Sequence, residues 1–315
     1  MRKLRSRIVG QDHALSAIED MLATVKADCG VPNRPLSVMF FLGPTGVGKT
    51  ETVRILAESL LGSADKLCRI DMNTLAQEHY SASISGSPPG YVGSKEGISL
   101  FDSDRIQGSY SEPGIVLLDE IEKANKDVVR AILNIFDTGR LVLTSGTKEL
   151  DFTNSLIFMT SNIGANELQS YLPDSDKPWN RWLKSSSNID PKAEEKIVDK
   201  ALHKHFDPEF LNRIDQIIRF NRLDSDLLDS LINIEIEKLN QRLKRRSASI
   251  TLSSSAKAFV CNDYDQRFGA RDIARRIRRE LEPKIAKALC TYPKEESFQA
   301  IIVDSSISIS PVTVS

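Results

Sequence analysis

The sequence predicts an α/β fold: a parallel sheet covered by helices on both faces, then a smaller, mainly helical domain with short strands. Three observations predict it. Apolar runs at 38–42, 67–71, 115–119, 156–160 and 216–220 are continuous rather than alternating, as expected of strands buried on both faces. Helical spacing separates them, the pattern of strand–helix–strand units. A glycine-rich run, 43–50, joins the first of these strands to a helix. The pattern changes near residue 222, so a large domain is expected over 1–222 and a small one over 223–315.

Taken in order, the run Val38, Met39, Phe40, Phe41, Leu42 is the first strand, and a helix follows from about Lys49 through 61. Strands are expected at 67–71 and 115–119, and a helix at 127–136. Two short strand-like pieces between 140 and 152 flank Ser145 and Gly146 and read as a β-hairpin. Residues 224–246 have the spacing of one long amphipathic helix. The stretch 171–193 is rich in Ser, Asp and Pro and holds Trp179 and Trp182. It reads as a solvated loop, with a docking surface as the alternative.

Composition narrows the class. A chain of 315 residues with 40% hydrophobic and 27% charged residues is ordinary for a globular protein. A net charge of −1 gives no global pull towards nucleic acid or an anionic membrane. The basic start, 1–7, lacks the apolar stretch of a secretory signal, and no apolar run is long enough to span a bilayer. Cys29, Cys68, Cys261 and Cys290 are scattered without metal-ligand spacing. Free thiols and a cytoplasmic location are expected.

Residues Gly43, Pro44, Thr45, Gly46, Val47, Gly48, Lys49 and Thr50 spell the phosphate-binding pattern between strand and helix. Glycines let consecutive backbone N–H groups turn inward on phosphate oxygens, and the helix N-terminus adds partial positive charge. Lys49 is expected to reach the β- and γ-phosphates of ATP, and Thr50 to put its hydroxyl on Mg²⁺. The strand at 115–119 ends in Asp119 and Glu120. A carboxylate at a strand tip beside the phosphate loop suits Mg²⁺, which gives Asp119 that role with Thr50. Its neighbour Glu120 can polarise water for attack on the γ-phosphate. A charged surface turn is the plain structural alternative, and the phosphate loop upstream weighs against it. Asn162, at the tip of the next strand, is either a turn residue or a sensor holding the attacking water.

The chain resembles the second ATPase ring of the Clp unfoldases in the AAA+ superfamily, closest in its motifs to their ClpB branch. The resemblance spans nearly the whole chain. It is carried by IVGQDHA (8–14), PNRP (32–35), FLGPTGVGKTE (41–51), RIDM (69–72), GSPPGYVG (86–93), LLDEIEKA (117–124), GRL (139–141), MTSNIG (159–164), FDPEFLNRID (206–215) and FGAR (268–271). It implies an AAA+ fold and a Mg²⁺-dependent ATP hydrolase working as a hexameric ring of identical subunits. Ile8 and Val9 would line the adenine pocket, and Asn162 would be the first sensor. Arg213 would be an arginine finger serving the neighbouring subunit, against the alternative of a structural arginine paired with Asp215. Arg271 would be a second sensor carried by the small domain, which links hydrolysis to a hinge motion. Tyr91 and Val92, on a glycine-flanked loop, would line the pore and grip polypeptide. The arginine-dense stretch at 275–279 reads as an ion-paired face because Asp272, Glu280 and Glu282 interleave.

Three departures from that family stand out. The substrate and first-ring regions of the longer Clp proteins have no counterpart, so a stand-alone ring or the C-terminal part of a longer protein is expected. No Ile/Leu-Gly-Phe/Leu tripeptide occurs in 163–205, which favours a chaperone over a protease regulator. The stretch 94–114 is longer than the family's and contains Gln107, Gly108, Ser109 and Tyr110. The expected function is ATP-driven unfolding or disaggregation, with no nucleic acid or membrane as partner. The alternatives are the ATPase of a Clp-type protease or secretion system, an AAA+ loader acting on nucleic acid, and a nucleotide-gated scaffold.

Overall fold

Seven strands of the large unit are β1 (Ser37–Leu42), β2 (Cys68–Asp71), β3 (Gly114–Asp119), β4 (Arg140–Val142), β5 (Glu149–Asp151), β6 (Ser155–Ser161) and β7 (Gln216–Arg219). Five of them form one sheet in the order β2-β3-β6-β1-β7. Every pairing in it is parallel, so β1, β3 and β6 all end on the same edge, at Leu42, Asp119 and Ser161. In open parallel sheets that carboxyl edge is where ligands bind. The computed structural model describes residues 1–76, 101–142, 149–165, 167–168, 191–262 and 264–312.

The continuous apolar runs are explained by burial on both faces. Every residue of β1, β3 and β6 is buried. On one face Val38, Phe40, Leu42, Val116, Leu118, Ile157 and Met159 join a core with Ile132, Ile135, Phe136, Phe206 and Phe210. Phe206 stacks on Phe210 and meets Phe40 edge-on. On the other face Phe41 packs against Phe158 and Phe220. Helices Asp12–Lys26 and Lys49–Leu60 lie against the sheet, the first touching β7 and the second β3 and β6.

Helix Lys126–Thr138 starts where Asn125 caps it, its side chain accepting from Asp127 N at 3.2 Å, and ends at Gly139 in the left-handed region. Strands β4 and β5 pair antiparallel, as the hairpin reading expects. The hairpin tip, 143–148, lies outside the described residues, as do Trp179 and Trp182. The part of the long 94–114 stretch that is described contains a short helix, Ser103–Gln107, capped by Asp102. Tyr110 beyond it is fully exposed.

The second compact unit comprises Ser6–Gly10, Pro44–Gly48 and the described residues from Asn221 onward. The long helix expected at 224–246 is broken into three pieces. A 3₁₀ turn (Ser225–Leu227) leads into helix Leu228–Leu243, and a second 3₁₀ turn (Lys244–Arg246) closes it. Ser247 in the left-handed region makes the stop. Helix Ser254–Cys261 follows. Helix Ala270–Arg276 then runs through a π-helical stretch (Ile277–Leu281) into helix Glu282–Thr291. The small sheet pairs β8 (Ser249–Leu252) parallel with β9 (Ser297–Val303), and β9 antiparallel with β10 (Ser306–Pro311). No helix among the described residues is long and apolar enough to cross a membrane.

Candidate nucleotide and hydrolysis site

The turn after β1 can exist only because of its glycines. Gly43, Gly46 and Gly48 have φ of 140°, 76° and 107°, where other residues are strained. Space forbids a side chain as well. A Cβ on Gly43 would sit 2.7 Å from the Phe220 carbonyl oxygen, and one on Gly46 would sit 2.0 Å from that of Phe268. Helix Lys49–Leu60 begins directly after the turn, as the pattern expects.

Lys49 is 7% exposed. Its Nζ donates to the Gly43 carbonyl at 2.6 Å and to Asn162 Oδ1 at 3.0 Å. An ammonium has only donors, so the amide oxygen of Asn162 must face Lys49 and its Nδ2 donor is turned the other way. That donor is what a sensor of phosphate or attacking water needs. The backbone N–H of Asn162 is held in turn by Glu122 Oε1 at 3.1 Å.

Asp119 is buried at the end of β3. Its Oδ1 accepts from the Thr50 hydroxyl at 3.0 Å and from the Thr160 hydroxyl at 2.5 Å. Its Oδ2 accepts from Arg69, from Nε at 3.0 Å and Nη2 at 2.6 Å. The pairing of Thr50 with Asp119 joins a hydroxyl and a carboxylate, the hard oxygen donors that Mg²⁺ takes beside phosphates and water. No group of three or more His, Cys, Asp or Glu residues that could hold a metal occurs among the described residues. When bound at Asp119 and Thr50, Mg²⁺ would neutralise charge on the β- and γ-phosphates.

Glu120 stands next in a left-handed conformation, φ 58° and ψ 53°. A non-glycine residue in that region carries strain of about 1 kcal/mol or more, persisting only where its surroundings enforce it. Here the enforcement is visible: Glu120 N–H donates to the Thr160 hydroxyl at 3.1 Å. Thr160 thus accepts from Glu120 and donates to Asp119.

Arg213 follows the short helix Pro208–Leu211. Its guanidinium pairs with Asp137 through Nε, and with Glu209 at 3.5 Å. The hydrogen bond it donates to Asp137 raises its already high pKa further. Asp215, the partner weighed from sequence, instead accepts from the Val38 N–H at 2.8 Å. Arg34 fixes the same turn, donating to the Phe136 carbonyl at 2.8 Å and the Arg213 carbonyl at 3.1 Å.

Within the second unit, the tip of the phosphate loop packs on the turn at 267–270. Ala270 N–H donates to the Gly46 carbonyl at 2.9 Å, and the Thr45 hydroxyl to the Arg267 carbonyl at 3.0 Å. Arg271 is thereby next to the loop in sequence-neighbour terms, one residue beyond the Ala270 contact. Ile8 is buried, and its Cδ1 lies 3.6 Å from where a Gly48 Cβ would be; Val9 is half-buried. Asp272 is fully buried and accepts from Arg275 at 2.6 Å, Arg276 at 2.8 Å and Asp265 N–H at 3.2 Å. Tyr91 and Val92 lie outside the described residues.

Comparison with known proteins agrees with this architecture. Residues 34–217 match the family described as AAA domain (Cdc48 subfamily), and residues 223–300 match the C-terminal, D2-small domain of ClpB protein. The chain belongs to the Clp-type AAA+ ATPases. As a member it is an ATP hydrolase, in a family whose enzymes use ATP and Mg²⁺, assemble as rings and act on polypeptides. It is 45% identical over 291 residues to an ATP-dependent protease ATP-binding subunit-like protein AmiB of Pseudomonas aeruginosa, covering 92% of this chain and 78% of that one. An ATP-dependent protease ATP-binding subunit-like protein of Rhodococcus erythropolis is 42% identical over 294 residues, covering 91% and 82%. Chaperone protein ClpB 2 of Nostoc sp. is 40% identical over 288 residues, 91% of this chain but 31% of that longer protein.

Arg69, Thr160 and Glu122 are the residues that sequence reasoning passed over. All three lie inside motifs that carry the Clp resemblance, RIDM, MTSNIG and LLDEIEKA. Their one-letter pattern marked them only as neighbours of the active groups.

Proposed function

We propose that this Clp-type ATPase is an unfoldase or disaggregase that assembles as a homohexameric ring and threads polypeptide through its axial pore. The observation that carries this reading is Glu120, held in a left-handed turn by Thr160 beside the Asp119–Thr50 pair. A scaffold that merely binds nucleotide has no use for a strained glutamate. Strain kept at that position supports turnover, and turnover supplies work.

In this reading ATP lies on the 43–50 turn with Lys49 and Thr50 at its phosphates, and Ile8 and Val9 take the adenine. Asp119 and Thr50 hold Mg²⁺, Glu120 takes the proton of the attacking water, and Asn162 Nδ2 orients that water. Arg213 is offered to the next subunit's nucleotide, and Arg271 reports on nucleotide through the small unit. Tyr91 and Val92 grip the substrate chain. A near-zero net charge supports polypeptide rather than nucleic acid or membrane as substrate, and a cytoplasmic setting for four free cysteines.

The test is Tyr91→Ala. Basal ATP hydrolysis stays within a few-fold of wild type, while stimulation by casein and unfolding of a tagged fluorescent protein disappear. Retained unfolding by this variant overturns the pore reading. A second reading, the ATPase of a Clp-type protease, is favoured by the names of the two relatives of similar length. ATP-dependent degradation of casein on adding a Clp-type peptidase would establish it.

A further inference from the structure

We propose that Arg69 is a competing counter-ion at the metal carboxylate, and that it sets the Mg²⁺ concentration at which the nucleotide site loads. The inference deepens the reading of Asp119 as the metal-holding carboxylate and rests on it.

A carboxylate offers about four lone-pair directions. Those of Asp119 are all taken: two by Arg69 on Oδ2, one each by Thr50 and Thr160 on Oδ1. A hydrated cation approaching Asp119 must therefore exchange with one of the three partners. Thr160 is buried and is also committed to the Glu120 N–H. Thr50 stays on the side where the cation itself would bind. Arg69 is the exchangeable partner, because its side chain is 53% exposed while that of Asp119 is 8% exposed. It can leave for water at little cost.

Strand geometry makes this placement specific. In β2 Cys68 and Ile70 point into the core, while Arg69 and Asp71 point away. The register sets Asp71 beside Asp119, so Arg69 lies two residues back and must reach along the sheet to grip Oδ2 with both Nε and Nη2. Both charge-assisted hydrogen bonds converge on one oxygen, so the guanidinium competes with a cation for Oδ2 while Oδ1 is left to the two threonine hydroxyls. One positive charge then stands against the dication at the same carboxylate.

The alternative is an ordinary ion pair that only steadies the end of β2. A fluorescent ADP analogue at fixed concentration, titrated with Mg²⁺, separates the two without reading activity. Arg69→Gln is expected to lower the Mg²⁺ midpoint roughly fivefold, the scale of one partly exposed charge pair, and to leave affinity in EDTA near wild type. Arg69→Lys keeps the charge without the fork, so its midpoint falls between the two. Asp119→Asn raises the midpoint. If Asp119→Asn shifts the midpoint and Arg69→Gln does not, or raises it, Arg69 is structural only and the inference fails alone. If Asp119→Asn leaves the midpoint unmoved, the metal reading fails and takes the inference with it. Circular dichroism confirms folding of each variant. Should Arg69→Gln not fold, a midpoint for Arg69→Lys at or above wild type overturns the inference.

Discussion

The backbone N–H of Glu120 ends on the hydroxyl of Thr160, 3.1 Å away, and that hydroxyl is itself hydrogen-bonded to Asp119. A single side chain on β6 thus fixes the Asp119 carboxylate and the backbone of Glu120 at the tip of β3. Thr160→Val keeps the shape and removes the hydroxyl. It leaves a buried carboxylate oxygen and a strained N–H short of a partner, at a cost of about 1–3 kcal/mol. Hydrolysis should fall at least tenfold with nucleotide affinity nearly unchanged, and Thr160→Ser should restore it. Steady-state turnover and calorimetric nucleotide binding check this. Unchanged turnover in Thr160→Val would mean that Glu120 keeps its turn without the threonine.

Lys49 is buried and ties the Gly43 carbonyl to Asn162 Oδ1. Lys49→Ala is therefore expected to do two things. It should abolish measurable ATP binding, because the ammonium for the phosphates is gone. It should also lower the melting temperature by a few degrees, since two hydrogen bonds to a charged group are lost at about 1–2 kcal/mol each. Binding calorimetry and thermal melts read the two effects separately, and wild-type ATP affinity in this variant would sink the phosphate-loop reading.

The fold was legible because both faces of the sheet are buried. Phe40 faces one helical layer and Phe41 the other, and this makes 38–42 an unbroken apolar run. The loop glycines were equally plain, since Gly43 and Gly46 occupy conformations and spaces closed to other residues. What stayed hidden were partners set by tertiary register. Arg213 precedes Asp215 by only two positions in the chain, yet it pairs with Asp137 at the far end of another helix. Arg69 and Thr160 meet Asp119 only because β2, β3 and β6 are neighbours in the sheet, an order that no linear pattern states. The break of 224–246 into three pieces was hidden too, because a 3₁₀ turn keeps almost the same apolar spacing as an α-helix.

If Arg213 serves the neighbouring subunit, its ties to Asp137 and Glu209 position it rather than consume it. Arg213→Ala should lower turnover about a thousandfold, the scale of arginine fingers in related NTPases, with nucleotide affinity preserved. Mixing Arg213→Ala with Lys49→Ala subunits should recover part of the activity, because some interfaces then join an intact loop to an intact finger. Turnover measured across mixing ratios decides it. No recovery at any ratio, with mixed rings shown by native mass spectrometry, would refute the trans role.

Burial alone would push the Asp272 carboxyl up, but hydrogen bonds from Arg276, the Asp265 N–H and Arg275 outweigh it and hold the pKa below the ordinary aspartate value. A carboxylate whose folded pKa is depressed adds stability that is complete above its unfolded pKa. That contribution is lost as pH falls through the folded value. Asp272→Asn removes the charge while two arginines remain, so the small unit should lose about 3 kcal/mol near neutral pH. Hydrogen exchange in peptides from helix Ala270–Arg276 reads this locally. Protection should be lower in the variant from pH 7 down to about 4, and the two proteins should converge as pH falls further. The wild type then protonates the same carboxylate and becomes equivalent to the variant. A difference that persists undiminished into strong acid would show that shape, not charge, is what Asp272 contributes.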